Sequence, residues 1–260
     1  MTGSSIAIDA VLQAQPPAFT PEQACEIGRA TFGIQASGAR SLGSERDQAF
    51  MLTASSGSGP SEAAVAVLKV SNPAEDPAML DMEALAAQHA AQCDPGLTIA
   101  LPRRRPTAAS ADTRSRRGLQ AADLAEFRVR WVHGGAGHWV RAYDVLPGRI
   151  RLDPLTLPDP ALIAWGETTA RLGVALRSFI HPHAIRRLPW DVQHAQRVRP
   201  MTASIADPDA RATVNIVLDR YDAAVAPRWG HLRAQVIHTD LTADNVLADD
   251  DGMITGIVDF

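Results

Sequence analysis

A lysine inside an apolar run, a histidine and an aspartate two residues apart, an asparagine five residues further on and an aspartate in a second apolar run are the residues that could do chemistry in this chain. Lys69 is the one lysine among 25 Lys and Arg residues, and it sits in Ala-Val-Ala-Val-Leu-Lys-Val at 64–70. Far downstream the chain reads Val-Ile-His-Thr-Asp-Leu-Thr-Ala-Asp-Asn-Val-Leu at 236–247, then Gly-Ile-Val-Asp-Phe at 256–260. A composition that otherwise uses arginine for positive charge has kept one compact ammonium, which a planar guanidinium does not replace. A strand lysine, an H-x-D-x-x-x-x-N loop and a strand-borne aspartate are the parts that phosphoryl transfer requires.

Phosphoryl transfer leaves a protein little covalent chemistry; it must position groups and neutralise charge. Asp240 is the candidate to accept or orient the proton of an attacking hydroxyl. Asn245 would reach a magnesium ion from the far end of the same loop, and Asp259 would supply the carboxylate joining metal to phosphates. Magnesium takes hard oxygen ligands and keeps several waters, so one amide oxygen, one carboxylate and phosphate oxygens suffice. His238 is expected to hold the loop's shape rather than react. Lys69 would pair with the α- and β-phosphates, held by an acid on the following helix. Glu83 is the first choice for that acid, with Asp81 and Glu75 as open alternatives. The segment Ser41-Leu-Gly-Ser-Glu-Arg-Asp-Gln48 holds a single glycine. It is either a phosphate-covering loop, with Ser44, backbone amides and Arg46 as contacts, or an ordinary β-turn.

These residues need elements to carry them. Thr20-Pro-Glu-Gln23 reads as a helix start, with threonine as cap, proline at the first helical position and acid in the first turn, and the helix should end near Phe32-Gly33. Residues 1–19 ahead of it read as a flexible arm. Short strands are expected at 39–42 and 49–53, then a small-residue loop at 55–60 and the strongest strand of this half at 64–70. A helix over 77–92 follows, with Leu80, Ala84, Leu85 and Ala87 as its apolar stripe. Residues 101–118, rich in arginine and proline, are expected to be irregular. A hairpin over 127–133 and 138–145 turns at the glycine cluster 134–137, and Leu146-Pro-Gly148 reads as a hinge. The second half reads as helical at 160–179 and 209–225, closing with a strand, the histidine loop, a strand, a tight turn at Asp250-Asp-Gly252 and a last strand. The pattern predicts an α+β chain in two lobes, 20–146 and 147–260, with a ligand cleft between them.

Bulk properties exclude several classes. At 260 residues and 46% hydrophobic, the chain buries a real core. A net charge of −4 argues against nucleic acid as a partner, which needs a basic face. The arginine runs at 103–105 and 114–117 read as solvated linker. Cys25 and Cys93 form no C-x-x-C, and no H-E-x-x-H ties the eight histidines to carboxylates, so neither a disulfide framework nor a zinc site is indicated. Gly57-Ser-Gly59 lacks the G-x-S-x-G of a serine hydrolase. No basic leader and no run of about 18 apolar residues is present, so a cytoplasmic chain without membrane contact is expected.

With these residues in hand, residues 18–260 resemble the aminoglycoside phosphotransferase/choline kinase superfamily, and within it the hydroxylysine kinase-like branch. The resemblance rests on Phe19-Thr-Pro-Glu-Gln-Ala24, Asp47-Gln-Ala-Phe50, Val67-Leu-Lys-Val-Ser-Asn72, Val145-Leu-Pro-Gly-Arg149, Phe179-Ile-His-Pro182 and the catalytic segments. It implies a protein-kinase-like two-lobed fold whose N-terminal antiparallel sheet carries one main helix beside a mostly helical C-terminal lobe. It also implies Val145 and Leu146 at the nucleotide, Mg2+ with ATP or GTP as donor, and a small hydroxylated amine as acceptor. Similar domains occur fused to class III aminotransferases, so a fused or associated aminotransferase is an expected partner. Two departures stand out. Thr239 occupies a position where the family commonly has glycine or asparagine. The chain stops at Phe260, where the family continues into further helices, so the helical lobe is expected to be incomplete, with apolar surface exposed where those helices would pack.

Overall fold

The computed structural model describes residues 14–44, 46–55, 62–106, 127–149, 153, 155–185 and 191–260. The expected loop at 55–60, Ser55 apart, and the arginine run at 114–117 lie outside the described residues. Helix α1 (Pro21–Phe32) starts as the sequence predicts. Thr20 caps it, accepting from Gln23 N, while the Gln23 side chain answers the Thr20 N–H at 2.8 Å. It stops at Gly33, whose φ of 67° suits glycine and lets its N–H close back on Arg29 O.

Five strands follow in one antiparallel sheet: β1 (Gly38–Ser41), β2 (Gln48–Ser55), β3 (Glu62–Val70), β4 (Val129–His133) and β5 (Ala136–Tyr143), in spatial order β1-β2-β3-β5-β4. The β4–β5 hairpin turns on Gly134 and Gly135, with φ 58° and 83°, the pair of positive values that a two-residue turn needs to match strand twist. Alternation sorts β3 and β5 into two faces. Leu68, Val70, Val140 and Ala142, with Phe50 and Leu52 from β2, are buried against Ile27 and Phe32 of α1. Each fully buried side chain of this size contributes about 1.5–3 kcal/mol. The opposite face carries Val67, Lys69, Arg141 and Tyr143, with Lys69 directly across from Arg141 and Val67 across from Tyr143.

Residues 14–19, read from sequence as part of a loose arm, are tied to this sheet. Phe19 is buried, and its N–H and C=O both bond the Gln48 amide, at 2.8 and 2.9 Å. Helix α2 (Pro77–Cys93) contains no β-branched residue; Asp76 caps it by accepting from Ala78 N. Its buried side chains, Met82, Ala86, Ala87 and Ala90 among them, pack on Leu172, Ala175 and Leu176 of the second half and on Ile257. Residues 98–103 then form an extended strap that the sequence reading left irregular from 101 on. Ala100 N and Thr98 O bond Ile257 at 2.9 Å each, and Arg103 N bonds Ala142 O at 2.7 Å, so the strap joins both sheets.

The second half holds α3 (Asp159–Ala175), extended by a 3-10 turn over Leu176–Ser178, and α4 (Pro208–Arg220), continued as a π-turn through Val225. A 3-10 stretch over Val192–Ser204, which sequence periodicity did not reveal, packs beside α4. The last element is a two-stranded hairpin, β6 (Val246–Ala248) and β7 (Ile254–Ile257). The strand expected just before the histidine loop does not form; Val236 and Ile237 pair with no described strand. No described helix is long and apolar enough to cross a membrane. Among the described residues, large exposed apolar side chains, Val132 apart, fall between Leu155 and Met253.

Candidate active site

The face of β3–β5 that carries Lys69 meets the segment that follows β7. Lys69 Nζ donates to Asp259 Oδ1 across 190 positions of chain, pairing a mostly buried ammonium with a half-exposed carboxylate. Burial alone would raise the Asp259 carboxyl, but the Lys69 charge, its hydrogen bond and the Arg141 guanidinium outweigh it and hold the carboxyl below its ordinary range. Asp259 has φ 61°, a left-handed conformation rare outside glycine, so its backbone is held there by its surroundings.

Those surroundings are the histidine loop. Val258 N donates to Asn245 O at 3.0 Å, and Val258 O accepts from His238 Nε2 at 3.3 Å. The His238 ring meets Phe260 edge-on at 5.0 Å. Both backbone polar groups of Val258, the residue just ahead of Asp259, are thus taken by the loop, which makes loop and carboxylate one piece. The carbonyl can only accept, so His238 carries its proton on Nε2; Nδ1 is buried with no partner among the described residues. Burial lowers the His238 pKa, favouring the neutral imidazole that this geometry needs. His238 therefore shapes the loop, as the sequence suggested.

Within the loop, Asn245 Nδ2 donates to Asp240 O at 2.8 Å and to Asp240 Oδ2 at 3.1 Å. Both partners are acceptors, so the amide nitrogen must face Asp240 and Oδ1 turns away, with no donor among the described residues. Asn245 is buried and Asp240 is exposed. Thr239, between His238 and Asp240, has φ 66°, which explains why glycine or asparagine suits this position. A divalent cation of the magnesium kind fits this donor set. The Asn245 Oδ1 and the Asp259 carboxylate are hard oxygens on two rigidly joined segments. Among the described residues no cluster of three or more His, Cys, Asp or Glu offers an alternative metal site.

The acid on α2 behaves differently from the simplest expectation. Glu83 reaches this face, where its Oε2 accepts from Arg141 Nη1 at 3.0 Å. Arg141 is 4% exposed. Asp81 is committed elsewhere, in a two-pronged pair with Arg128 at 2.6 and 2.9 Å, and Arg128 stacks on Trp139. Glu75 lies ahead of α2, its N–H bonded to Asn72 O. Tyr143 completes the cluster, with Lys69 Nζ and Arg141 Cζ each 5.8 Å from its ring centroid. Burial raises the Tyr143 pKa, and the nearby Glu83 and Asp259 add to the rise against the two cations. Arg141 and Tyr143 were not singled out from sequence. The signal was there: in Val-Arg-Ala-Tyr, alternation that buries Val140 and Ala142 puts both on the face of Lys69.

At the edges of the site, Ser44 is exposed in the β1–β2 loop and accepts from Asp47 N at 3.3 Å; Gly43 before it has φ 79°. The Ser41 and Ser44 side chains cap this turn and a Cβ on Gly43 would meet nothing among the described residues, which accommodates either reading made from sequence. Val145 and Leu146 follow β5 outside any regular element, and the residues after them dock on the last hairpin. Thr255 Oγ1 donates to Pro147 O at 2.8 Å, and Arg149 pairs with Ala248 through bonds of 2.8 and 3.1 Å. Gly148, at φ 109°, lies so close that a Cβ would meet Thr255 Oγ1 at 2.2 Å.

Comparison with known proteins decides what this arrangement belongs to. Residues 61–260, which span Lys69 through Asp259, match the family model described as "Phosphotransferase enzyme family". The chain belongs to that family. Its fold is the kinase-like α+β fold of solved small-molecule kinases. An amicoumacin kinase in complex with AMP-PNP and Ca2+ superposes with a TM-score of 0.56 at 15% identity, covering 93% of this chain and 63% of that one. A GDP complex of aminoglycoside 2'-phosphotransferase-IIIa gives 0.57 at 15% identity, over 93% and 72% of the two chains. A microcompartment-associated aminopropanol kinase gives 0.57 at 16%, over 92% and 68%. The chain thus spans under two thirds of the length of the amicoumacin kinase it matches. No curated protein is matched by the sequence.

Proposed function

We propose that this phosphotransferase-family chain transfers the γ-phosphoryl group of a magnesium-bound nucleotide, ATP or GTP, to a hydroxyl of a small amine-bearing molecule of the hydroxylysine kind. The observation that carries the reading is the convergence of Lys69 and Asp259, with Asn245 bonded both to Asp240 and to Val258, the residue before Asp259. Residues 20–146 serve as the nucleotide lobe and 147–260 as the catalytic lobe. In this reading Lys69 binds the α- and β-phosphates, and Glu83, in its ion pair with Arg141, fixes α2 beside it. Ser44 lies at the phosphate edge, and Val145 and Leu146 flank the base. Asn245 and Asp259 would hold the magnesium ion, which when bound neutralises charge building up on the phosphates. Asp240 orients the acceptor hydroxyl and takes its proton; exposure leaves its carboxylate open to a substrate. The amino acceptor follows from the resemblance, and the names of the aminoglycoside and aminopropanol enzymes agree with it.

A second reading, a nucleotide-binding module without turnover, draws on the apolar side chains exposed between Leu155 and Met253, where an acceptor wall would stand. One experiment separates them. Nucleotide binding is titrated with and without magnesium, and phosphorylated product is sought by mass spectrometry across a panel of amino alcohols. The kinase reading expects product, and it expects Asp240→Asn to cut turnover by about 10²–10⁴ while nucleotide affinity stays within about twofold. Binding without product supports the second reading, and no magnesium-dependent binding at all ends both.

A further inference from the structure

The β1–β2 loop, the segment ahead of α1 and the approach to α2 all meet at one side chain, Asn72, which is 0% exposed. Its own N–H donates to Asp47 Oδ1 at 2.9 Å. Its Nδ2 is shared among three carbonyls, Arg46 at 3.4 Å, Gln15 at 3.2 Å and Ala14 at 3.5 Å. Its Oδ1 accepts from Ala74 N at 3.0 Å, and its carbonyl takes Glu75 N at 3.0 Å. A buried amide whose donors and acceptor are all engaged by three separate segments fixes them relative to one another, because each bond lost would strand a buried polar group.

Two of those bonds end on consecutive residues, Arg46 and Asp47, at the base of the loop that carries Ser44. The loop also makes local contacts: Leu42 N to Ala49 O at 2.9 Å, Gly43 N to Ser41 Oγ at 3.4 Å and Asp47 N to Ser44 Oγ at 3.3 Å. None of these local bonds sets the height of the loop over the sheet. Asn72 does so, because it lies three residues beyond Lys69 on the chain that leaves β3. We infer that Asn72 is a positioning residue for the phosphates of the donor: acting through Arg46 and Asp47, it holds the β1–β2 loop over the Lys69 end of β3 and ties that loop to the segment at Ala14 and Gln15. The inference rests on the kinase reading above. It adds that the segment ahead of α1 is part of the support of the nucleotide site.

The test compares ligands with and without phosphates. Affinities of the full-length chain for MgATP, MgGTP and the two nucleosides are measured by calorimetry for wild type, Asn72→Ala and Asp47→Ala. Asp47→Ala removes only the bond to the Asn72 N–H and keeps the buried amide, so it stands as the second variant if Asn72→Ala fails to fold. Asn72→Ala should weaken the triphosphate that wild type prefers by about tenfold or more, and Asp47→Ala by about threefold, with nucleoside affinity and the KM for the acceptor unchanged. A fold-change equal for nucleoside and triphosphate, or no change in a folded Asp47→Ala, overturns the inference while leaving the kinase reading intact. Wild type that binds no triphosphate sinks the kinase reading itself.

Discussion

The Glu83–Arg141 pair offers the sharpest energetic test. Arg141 is 4% exposed, the side chains of the pair are 5% and 16% exposed, and Nη1 meets Oε2 at 3.0 Å. Arg141 Nε is already buried without a partner among the described residues, so Glu83 supplies the counter-charge that a guanidinium in this place cannot lack. Breaking a buried pair from one side costs about 3–5 kcal/mol, because the surviving charge stays desolvated. Glu83 keeps some contact with water, which puts Glu83→Gln at the low end, about 3 kcal/mol. For a chain of this size each kcal/mol moves Tm by about 2–4 °C, so Tm should fall by roughly 6–12 °C. Arg141→Met in the Glu83→Gln background removes the stranded charge and should return stability to within about 1 kcal/mol of wild type. Urea unfolding followed by circular dichroism gives the cycle, and a coupling energy of about 2 kcal/mol or more is expected. A Glu83→Gln loss under about 0.5 kcal/mol, the size of an exposed pair, would falsify the placement of Arg141 in the interior.

Two further outcomes follow from the histidine loop. Burial sets the folded pKa of His238 below its ordinary 6.5, so the unfolded chain takes up the proton first as pH falls. The stability this residue supports is therefore complete above about pH 6.5 and declines as pH drops toward the folded value, with a slope of at most about 1.4 kcal/mol per pH unit. His238→Phe should flatten that part of the profile, and identical slopes in the two proteins would remove the residue from the account. Thr239 holds φ 66° with a β-branched side chain, a strain of about 1–2 kcal/mol, whereas glycine there carries an entropic penalty of about 0.5–1 kcal/mol. Thr239→Gly should thus be as stable as wild type or up to about 1 kcal/mol better in the same unfolding assay, and a clear loss would show that the loop does not use the left-handed conformation.

Much of this architecture was readable because local signals agreed with the tertiary demand. The cap at Thr20 and the stop at Gly33, the paired glycines of the β4–β5 turn and the alternation around Lys69 each state their structure within a few residues. Asp240, Asn245 and Asp259 were readable for the same reason, lying in two short segments of fixed spacing. What escaped was non-local. Arg141 has its meaning only from α2, which brings Glu83 to it, and Thr98–Arg103 becomes a strap only because β7 and β5 sit on either side. The 3-10 stretch at 192–204 has Pro200 inside it and no apolar period, so nothing in its residues announces a helix. Val236 and Ile237 look like a strand but find no partner strand among the described residues, which left an apolar pair without a sheet to join. Residues 14–19 are not the loose arm expected of them because a distant asparagine and glutamine take up the carbonyls of Ala14, Gln15 and Phe19.

The strap has one mechanical consequence. A chain that passed between two halves of a molecule once would let them swivel about any axis through that point. Here the polypeptide passes twice, at 98–103 and again at 144–149, and Arg103 clamps the two passages together by donating to Asp144 at 2.5 Å. Two passages along one line favour rotation about that line over swivelling about any other axis. In the kinase reading, opening to exchange spent nucleotide would be a door on two pins, with its free edge at the side of Lys69 and Asp259.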